Sequence, residues 1–367
     1  MSRILPKQPD LATIVRGFRK LRSAHARTAV TYRAGADLEH LRVGLAGAVT
    51  LEFATLPPYL CAIWSMKNDL HPVAKSLRVI LQEEMLHMAL VCNMLVAIGG
   101  VPRIAGGAPT YPGKLPLKVH PELTVPLRGL SREALAAFME IERPKHVGHE
   151  LALNMAREIE RDDPAADGDL TIGEMYDQLL AAFQRVNPAL APDHQITGPL
   201  SWMVVRTVDE VKQAILLIQR QGEGSHGPAD TDPSNLAHYW RFAEIVEKKS
   251  IVFDKVAGKY SFQTPIDLDY ARDVWPMAPV PEGGYTDAVV ADPEVRRLLR
   301  GFNLTYSKLL DFLQAAWETR GGQAMFIRAI ETMFALEKFA KPLLQMPRSD
   351  GAGNYGPDFR YVPAKDR

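Results

Sequence analysis

The feature that most constrains this chain is a regular stripe with a flaw in its centre. Val73, Leu77, Ile80, Glu84, His87, Val91, Met94 and Ile98 follow one another in alternating steps of four and three. That spacing traces one face of a helix. All are apolar except Glu84 and His87, which sit together at i, i+3 in the middle. An ionised carboxylate in an apolar seam is costly unless something compensates. A metal ion does so, and Glu-x-x-His is how helical bundles with paired-metal carboxylate sites present ligands from one helix. A buried Glu–His hydrogen bond without metal is the plainer alternative. Glu83 also lies at i, i+4 from His87, but the stripe selects Glu84 and leaves Glu83 at the helix edge, as a partner to a ligand or a surface charge.

A second stripe precedes the first. Leu41, Leu45, Ala48, Glu52, Thr55, Tyr59, Ala62 and Met66 repeat the same steps, and Glu52 is the one charge among them. The pattern predicts a helix over 37–66, kinked by Pro57 and Pro58. Gly44, Ala46, Gly47 and Ala48 predict close packing against a neighbour. Glu52 with Glu84 and His87 makes half of a paired-metal kit. Two such ions carry about four positive charges, which several carboxylates must offset while imidazoles complete the coordination.

The other half must come from later in the chain. Gly99, Gly100 and Pro102 stop the second helix, and prolines at 102, 109, 112, 116, 121 and 126 predict an extended surface connection. Ser131 caps a helix interrupted near Pro144, and the helical pattern resumes over 146–161. Capping boxes at Thr171/Glu174 and Thr207/Glu210 open helices over 172–186 and 208–221. A further helix is predicted over 233–254. Glu140 or Glu142, Glu223, and His226 or His238 are the candidate ligands here. Glu142 continues the Leu135–Phe138 stripe, Glu223 and His226 form a second Glu-x-x-His flanked by glycines, and His238 lies inside a good helical run. An irregular aromatic segment over 260–290, helices over 292–320 and 323–345, and a polar peripheral tail from Pro347 complete the chain. Residues 10–30 predict a short basic amphipathic helix.

Composition narrows the function classes. Lys+Arg and Asp+Glu are equal at 43 each in 367 residues, so the chain carries no electrostatic footprint for nucleic acid or an anionic membrane. No run of about 18 apolar residues predicts a membrane span. Cys61 and Cys92 lie in apolar helical runs and read as buried free thiols in a reducing, cytoplasmic compartment. Strand signals are sparse, and the class expected is all-α.

Residues 38–256 resemble the ferritin-like domain of iminophenyl-pyruvate dimer synthases, the enzymes of violacein and related bisindole pathways. The matching stretches are LEFATLPPYLCAIWSMK at 51–67, EEMLHMALVCNMLVAIGGVP at 83–102, FMEIERP at 138–144, QGEGS at 221–225 and HYWRFAEI at 238–245. The resemblance implies a ferritin-like bundle with two metal ions, iron before manganese, held by Glu52, Glu84, His87, Glu142, Glu223 and His238. It favours Glu142 over Glu140, and Glu223 with His238 over His226. The organisation expected is an arm over 1–36, the metal-binding bundle over 37–256, and an aromatic loop with helices over 257–367 packed on it. The function expected is a dimetal oxidoreductase of secondary metabolism. It would act on a small organic molecule, such as an amino-acid-derived imine or amine, with O₂ or peroxide. Metal storage with ferroxidase activity and a non-catalytic helical interaction protein are the alternatives, and a homo-oligomer is compatible with any of them.

Overall fold

The computed structural model describes residues 34–144, 170–198, 204–222, 236–254, 256, 259–286 and 290–367. The basic helix expected over 10–30, the helix expected over 146–161, and the candidates Glu223 and His226 lie outside these residues.

Two long helices form the centre, α1 (Ala34–Ser65) and α2 (Pro72–Ala97). Each buries its stripe, from Leu41 to Met66 and from Val73 to Ile98. Both are apolar and long enough to cross a membrane by length alone, yet most of each is buried inside the protein, so they are core helices. His71 caps α2 by accepting from the Val73 amide, and Pro72 opens it. α1 runs on through Pro57 and Pro58 as one helix. Pro58 has no N–H to offer the carbonyl of Ala54, four residues back. The Tyr111 hydroxyl donates to that carbonyl instead, at 2.8 Å.

Tyr111 belongs to the connection over 101–130, which is not the surface strap its prolines suggest. Ile104, Leu115, Leu117, Val119, Val125 and Leu127 are all buried. The apolar residues between the prolines turn inward and cover α1. A Cβ on Gly47 would meet the Leu117 side chain at 2.4 Å, so the small residues of α1 do accommodate a close neighbour, here a loop.

Four shorter helices surround this pair: α3 (Arg132–Ile141), α4 (Ile172–Val186), α5 (Val208–Gln221) and α6 (His238–Glu247). Ser131 caps α3, and reciprocal capping boxes at Thr171/Glu174 and Thr207/Glu210 open α4 and α5. α6 is shorter than the sequence predicts. Lys248 takes a left-handed conformation (φ 53°) and ends it, and 249–254 is not helical. The β-branched run of β1 (Lys249–Asp254) pairs antiparallel with β2 (Lys259–Pro265). The molecule remains an all-α bundle with this one hairpin among the described residues.

The C-terminal helices are α7 (Pro293–Glu318), α8 (Gln323–Ala335) and α9 (Glu337–Leu343). α7 is tied to the bundle by side chains. Trp317 Nε1 donates to Asn93 Oδ1 of α2 at 2.9 Å, and Gln314 Oε1 accepts from the Ile104 amide at 2.6 Å. The tail beyond Pro347 is not peripheral. Asp358 is buried and accepts from Asn303 Nδ2 at 2.7 Å and from the Tyr285 amide at 3.1 Å, and Phe359 packs edge-on to Phe302 and Tyr306. One aromatic and one fully satisfied carboxylate suffice to draw a polar segment into the core.

Candidate dimetal site

The stripes of α1 and α2 face each other, so Glu52 meets Glu84 and His87 across the seam. His87 Nδ1 lies 3.4 Å from Glu84 Oε1 and 3.7 Å from Glu52 Oε2. Two helix ends supply the opposite wall. Glu142 caps the C-terminus of α3, and His238 is the first residue of α6. His238 Nδ1 lies 2.8 Å from Glu84 Oε1 and 3.7 Å from Glu142 Oε1. All five side chains are buried, at 4% exposure or less. They form two groups that could each hold a metal ion, Glu52–Glu84–His87 and Glu84–Glu142–His238, with Glu84 common to both. The two imidazoles stack with ring centroids 5.5 Å apart.

Three hydroxyls close the carboxylates from outside. Thr55 donates to Glu84 Oε2 at 2.6 Å, Tyr59 to Glu142 Oε1 at 2.7 Å, and Tyr176 of α4 to Glu52 Oε1. Thr55 and Tyr59 occupy the Glu52 stripe at +3 and +7, so the spacing that singles out Glu52 also placed them. Tyr176 carries no such signal beyond the apolar face of α4. The far nitrogens of the imidazoles are held as well: His87 Nε2 by Gln221 Oε1 at 2.9 Å, and His238 Nε2 by Glu83 Oε2 at 3.0 Å. Gln221 is the helix-ending residue of α5 that sequence reasoning passed over. Glu140 points elsewhere. It pairs with Arg143 at 2.8 Å and lies 3.5 Å from His120.

Electrostatics show what the group of acids demands. Burial, and next the charge of Glu84, push Glu52 up to about 8. Burial would raise Glu84 too, but the close approach of His238 and His87 outweighs it and holds its carboxyl well below the usual range. Burial works against the charged forms of His87 and His238, yet Glu84 raises His87, and Glu142, Glu83 and Glu84 raise His238 well above its ordinary value. With protein groups alone, protons must balance the buried acids. Divalent cations do the same work with the same oxygens and nitrogens. One atom speaks for a cation directly. His238 Nδ1 is fully buried and has no aligned hydrogen-bond partner, although Glu84 Oε1 is only 2.8 Å away. A buried ring nitrogen beside both Glu84 and Glu142 suits a metal ligand once its proton is displaced.

A narrow cleft opens on the site, with Glu52, Glu84, His87 and Glu142 in its lining. Ile172 and Gly173 of α4 face Ile218, Gln219 and Gly222 of α5 across its mouth. A Cβ on Gly222 would stand 3.4 Å from Glu142 Oε2, an ordinary contact, so the end of α5 lies directly beside the acids.

The family described as Ferritin-like matches residues 45–247, more than half of the chain. The chain belongs to the ferritin-like family. Its matched region spans all five of these acids and imidazoles. Among solved structures, the ferritin-like chain shares its fold with a ferritin-like protein from Caulobacter vibrioides, at a TM-score of 0.57 and 21% identity. The match covers 88% of this chain and 97% of the other. Coverage that wide takes in much of the region after 256, where the sequence resemblance fades. No protein among the curated sequences matches the chain.

Proposed function

We propose that the protein is a non-haem dimetal oxidoreductase, di-iron in its simplest form, acting on a small organic substrate of secondary metabolism. The observation that carries this reading is Glu84, a buried carboxylate shared by two Glu/His groups. We assign Glu52, Glu84 and His87 to one ion and Glu84, Glu142 and His238 to the other. Glu223 stays in the proposed set on the family resemblance.

Two bound ions would supply redox chemistry toward O₂ or peroxide, with carboxylate and imidazole donors that suit iron or manganese. The chain's own groups do the rest. Tyr176 and Tyr59 each hold one oxygen of Glu52 and Glu142, and Thr55 holds one of Glu84, which fixes how the remaining oxygens face inward. Burial pushes both tyrosine hydroxyls far above their ordinary range, so they stay protonated as donors. The apolar rim of Ile172 and Ile218 keeps bulk water from the acids. The narrow cleft favours O₂ or peroxide together with a compact substrate such as an amino-acid-derived imine or amine.

The test is metal analysis of the purified protein combined with O₂ consumption after anaerobic reduction. About two equivalents of iron and O₂ uptake accelerated by an imine or amine from a substrate panel support the reading. Iron-dependent O₂ uptake indifferent to every organic substrate moves it to ferroxidase chemistry. A chain that takes up no metal sinks both.

A further inference from the structure

The cleft over the candidate site is crossed at its outer end by one side chain. Its acids and His87 are buried, and the lining residues that reach solvent are Ile172 and Gly173 of α4 and Gln219 of α5. Gln219 Nε2 donates to the Gly173 carbonyl at 2.9 Å and to Asp177 Oδ1 at 2.9 Å. Gln219 and Gly173 both line the cleft, so the bond between them spans its opening. Asp177 lies one turn further along the same face of α4 and is exposed.

A primary amide nitrogen carries two hydrogens, and here two acceptors on α4 use both. A carbonyl and a carboxylate only accept, so residue 219 keeps this position only with a donor at its tip. A glutamate of the same length would be turned away by both. The tie is also reversible. It ends on an exposed carboxylate, and water can take over both acceptors when the side chain swings out. Breaking two such bonds corresponds to about 10- to 100-fold in an equilibrium. That is enough to keep the opening closed most of the time and too little to seal it. Ile172 and Ile218, which flank the opening, have no side-chain group that could make such a tie.

We propose that Gln219 is the specificity-determining residue of the cleft. Held against Gly173 and Asp177, it leaves passage for O₂ or peroxide, and a ring-bearing organic molecule reaches the acids only by displacing it. This rests on the dimetal reading above and deepens it: the choice of substrate size falls to one side chain outside the candidate metal ligands.

The test uses the full chain loaded with Co(II), whose visible absorption shifts when an outside ligand binds. The probes are azide, which is narrow and linear, and 4-phenylimidazole, which is broad and neutral in mildly alkaline buffer. Stopped flow gives the ratio of their association rates, in which changes common to both cancel. Gln219→Ala should raise the 4-phenylimidazole-to-azide ratio about 10-fold, with Co(II) stoichiometry unchanged. Gln219→Glu, equal in length but without a donor, should raise it as well. Asp177→Ala removes one acceptor from the α4 side and should raise it by less. It serves as the second variant should changes at 219 unsettle the fold. A mere staple between α4 and α5 would lower the thermal midpoint in all three and leave the ratio unmoved. An unmoved ratio in Co(II)-loaded variants overturns the bar and leaves the dimetal reading standing, and so does a Gln219→Glu variant as closed as the wild type. A wild-type chain that binds no Co(II) overturns both.

Discussion

The two halves of the candidate metal site are built differently. Glu52, Glu84 and His87 come from the interiors of α1 and α2, two long core helices, and lie on stripes that are buried along their whole length. Glu142 and His238 come from helix ends: one closes the ten-residue α3, the other opens the ten-residue α6. An interior position is fixed by the turns on both sides. A terminal one depends on the loop beyond it and on tertiary bonds such as Tyr59 to Glu142 and Glu83 to His238. The first half is therefore scaffold and site at once, whereas the second is assembled by packing.

The largest effect should come from breaking what the halves share. Glu84→Ala should reduce metal from two equivalents to none by elemental analysis, because it removes a ligand from each group. Two equivalents in that variant would end its role as the common carboxylate. Glu52→Gln attacks the interior half alone. It should lose about one equivalent with helix content by circular dichroism unchanged, since an amide of the same shape fits the stripe. His238→Ala is the matching change in the packed half, and here the loss of metal should come with a lower thermal midpoint, because the first residue of α6 loses its tie to Glu83.

A pH series separates protons from metal. In the fold Glu52 keeps its proton up to about pH 8, whereas its ordinary value is 4.5. Between these values the unfolded chain binds fewer protons, so stability falls as pH rises through that window. His87 and His238, also raised, add loss in the same direction above 6.5. In excess chelator, denaturant midpoints should decline from about pH 4.5 to about pH 8, and Glu52→Gln should flatten the lower part of that slope. Stabilisation by added metal should grow across the same window, because binding displaces these protons. A midpoint that rises with pH in chelator would contradict the buried-proton account.

The smallest effects concern the closing hydroxyls. Tyr176→Phe and Tyr59→Phe each leave a buried carboxylate one donor short, at a cost of about 1–3 kcal/mol, read from denaturant unfolding. Tyr176 serves the interior half and Tyr59 the packed half. If the packed half relaxes more readily, Tyr59→Phe should fall at the lower end of that range.

The same contrast governs what was readable in the sequence. Periodicity exposes a polar residue on an apolar stripe, so Glu52, Glu84 and His87 stand out without any structure. It says little at a terminus. Glu140 and Glu142 are one residue apart on neighbouring faces, and only the contacts show Glu140 turned toward Arg143 and Glu142 toward His238. His238 has no helical turn before it to define a face. Gln221 looks like an ordinary last residue, because its role exists only where α5 meets α2. Elsewhere the misreadings share a cause. Proline spacing suggested a surface strap over 101–130, and polarity suggested a loose tail after Pro347, but a few buried anchors such as Leu117, Tyr111 and Phe359 decided both. A helix pattern carried past residue 248 missed the left-handed Lys248 and the strand that follows.

Pro58 and Tyr111 have an evolutionary consequence. The hydroxyl fills an acceptor that exists only because proline brings no amide to Ala54. Either change has a meaning that depends on the other. With proline kept, loss of the hydroxyl strands a carbonyl in the core. With any other residue at 58, the helix regains its own bond and the hydroxyl becomes expendable. The two positions form an epistatic pair, and among relatives of this chain a tyrosine at the loop position should travel with the proline in the helix.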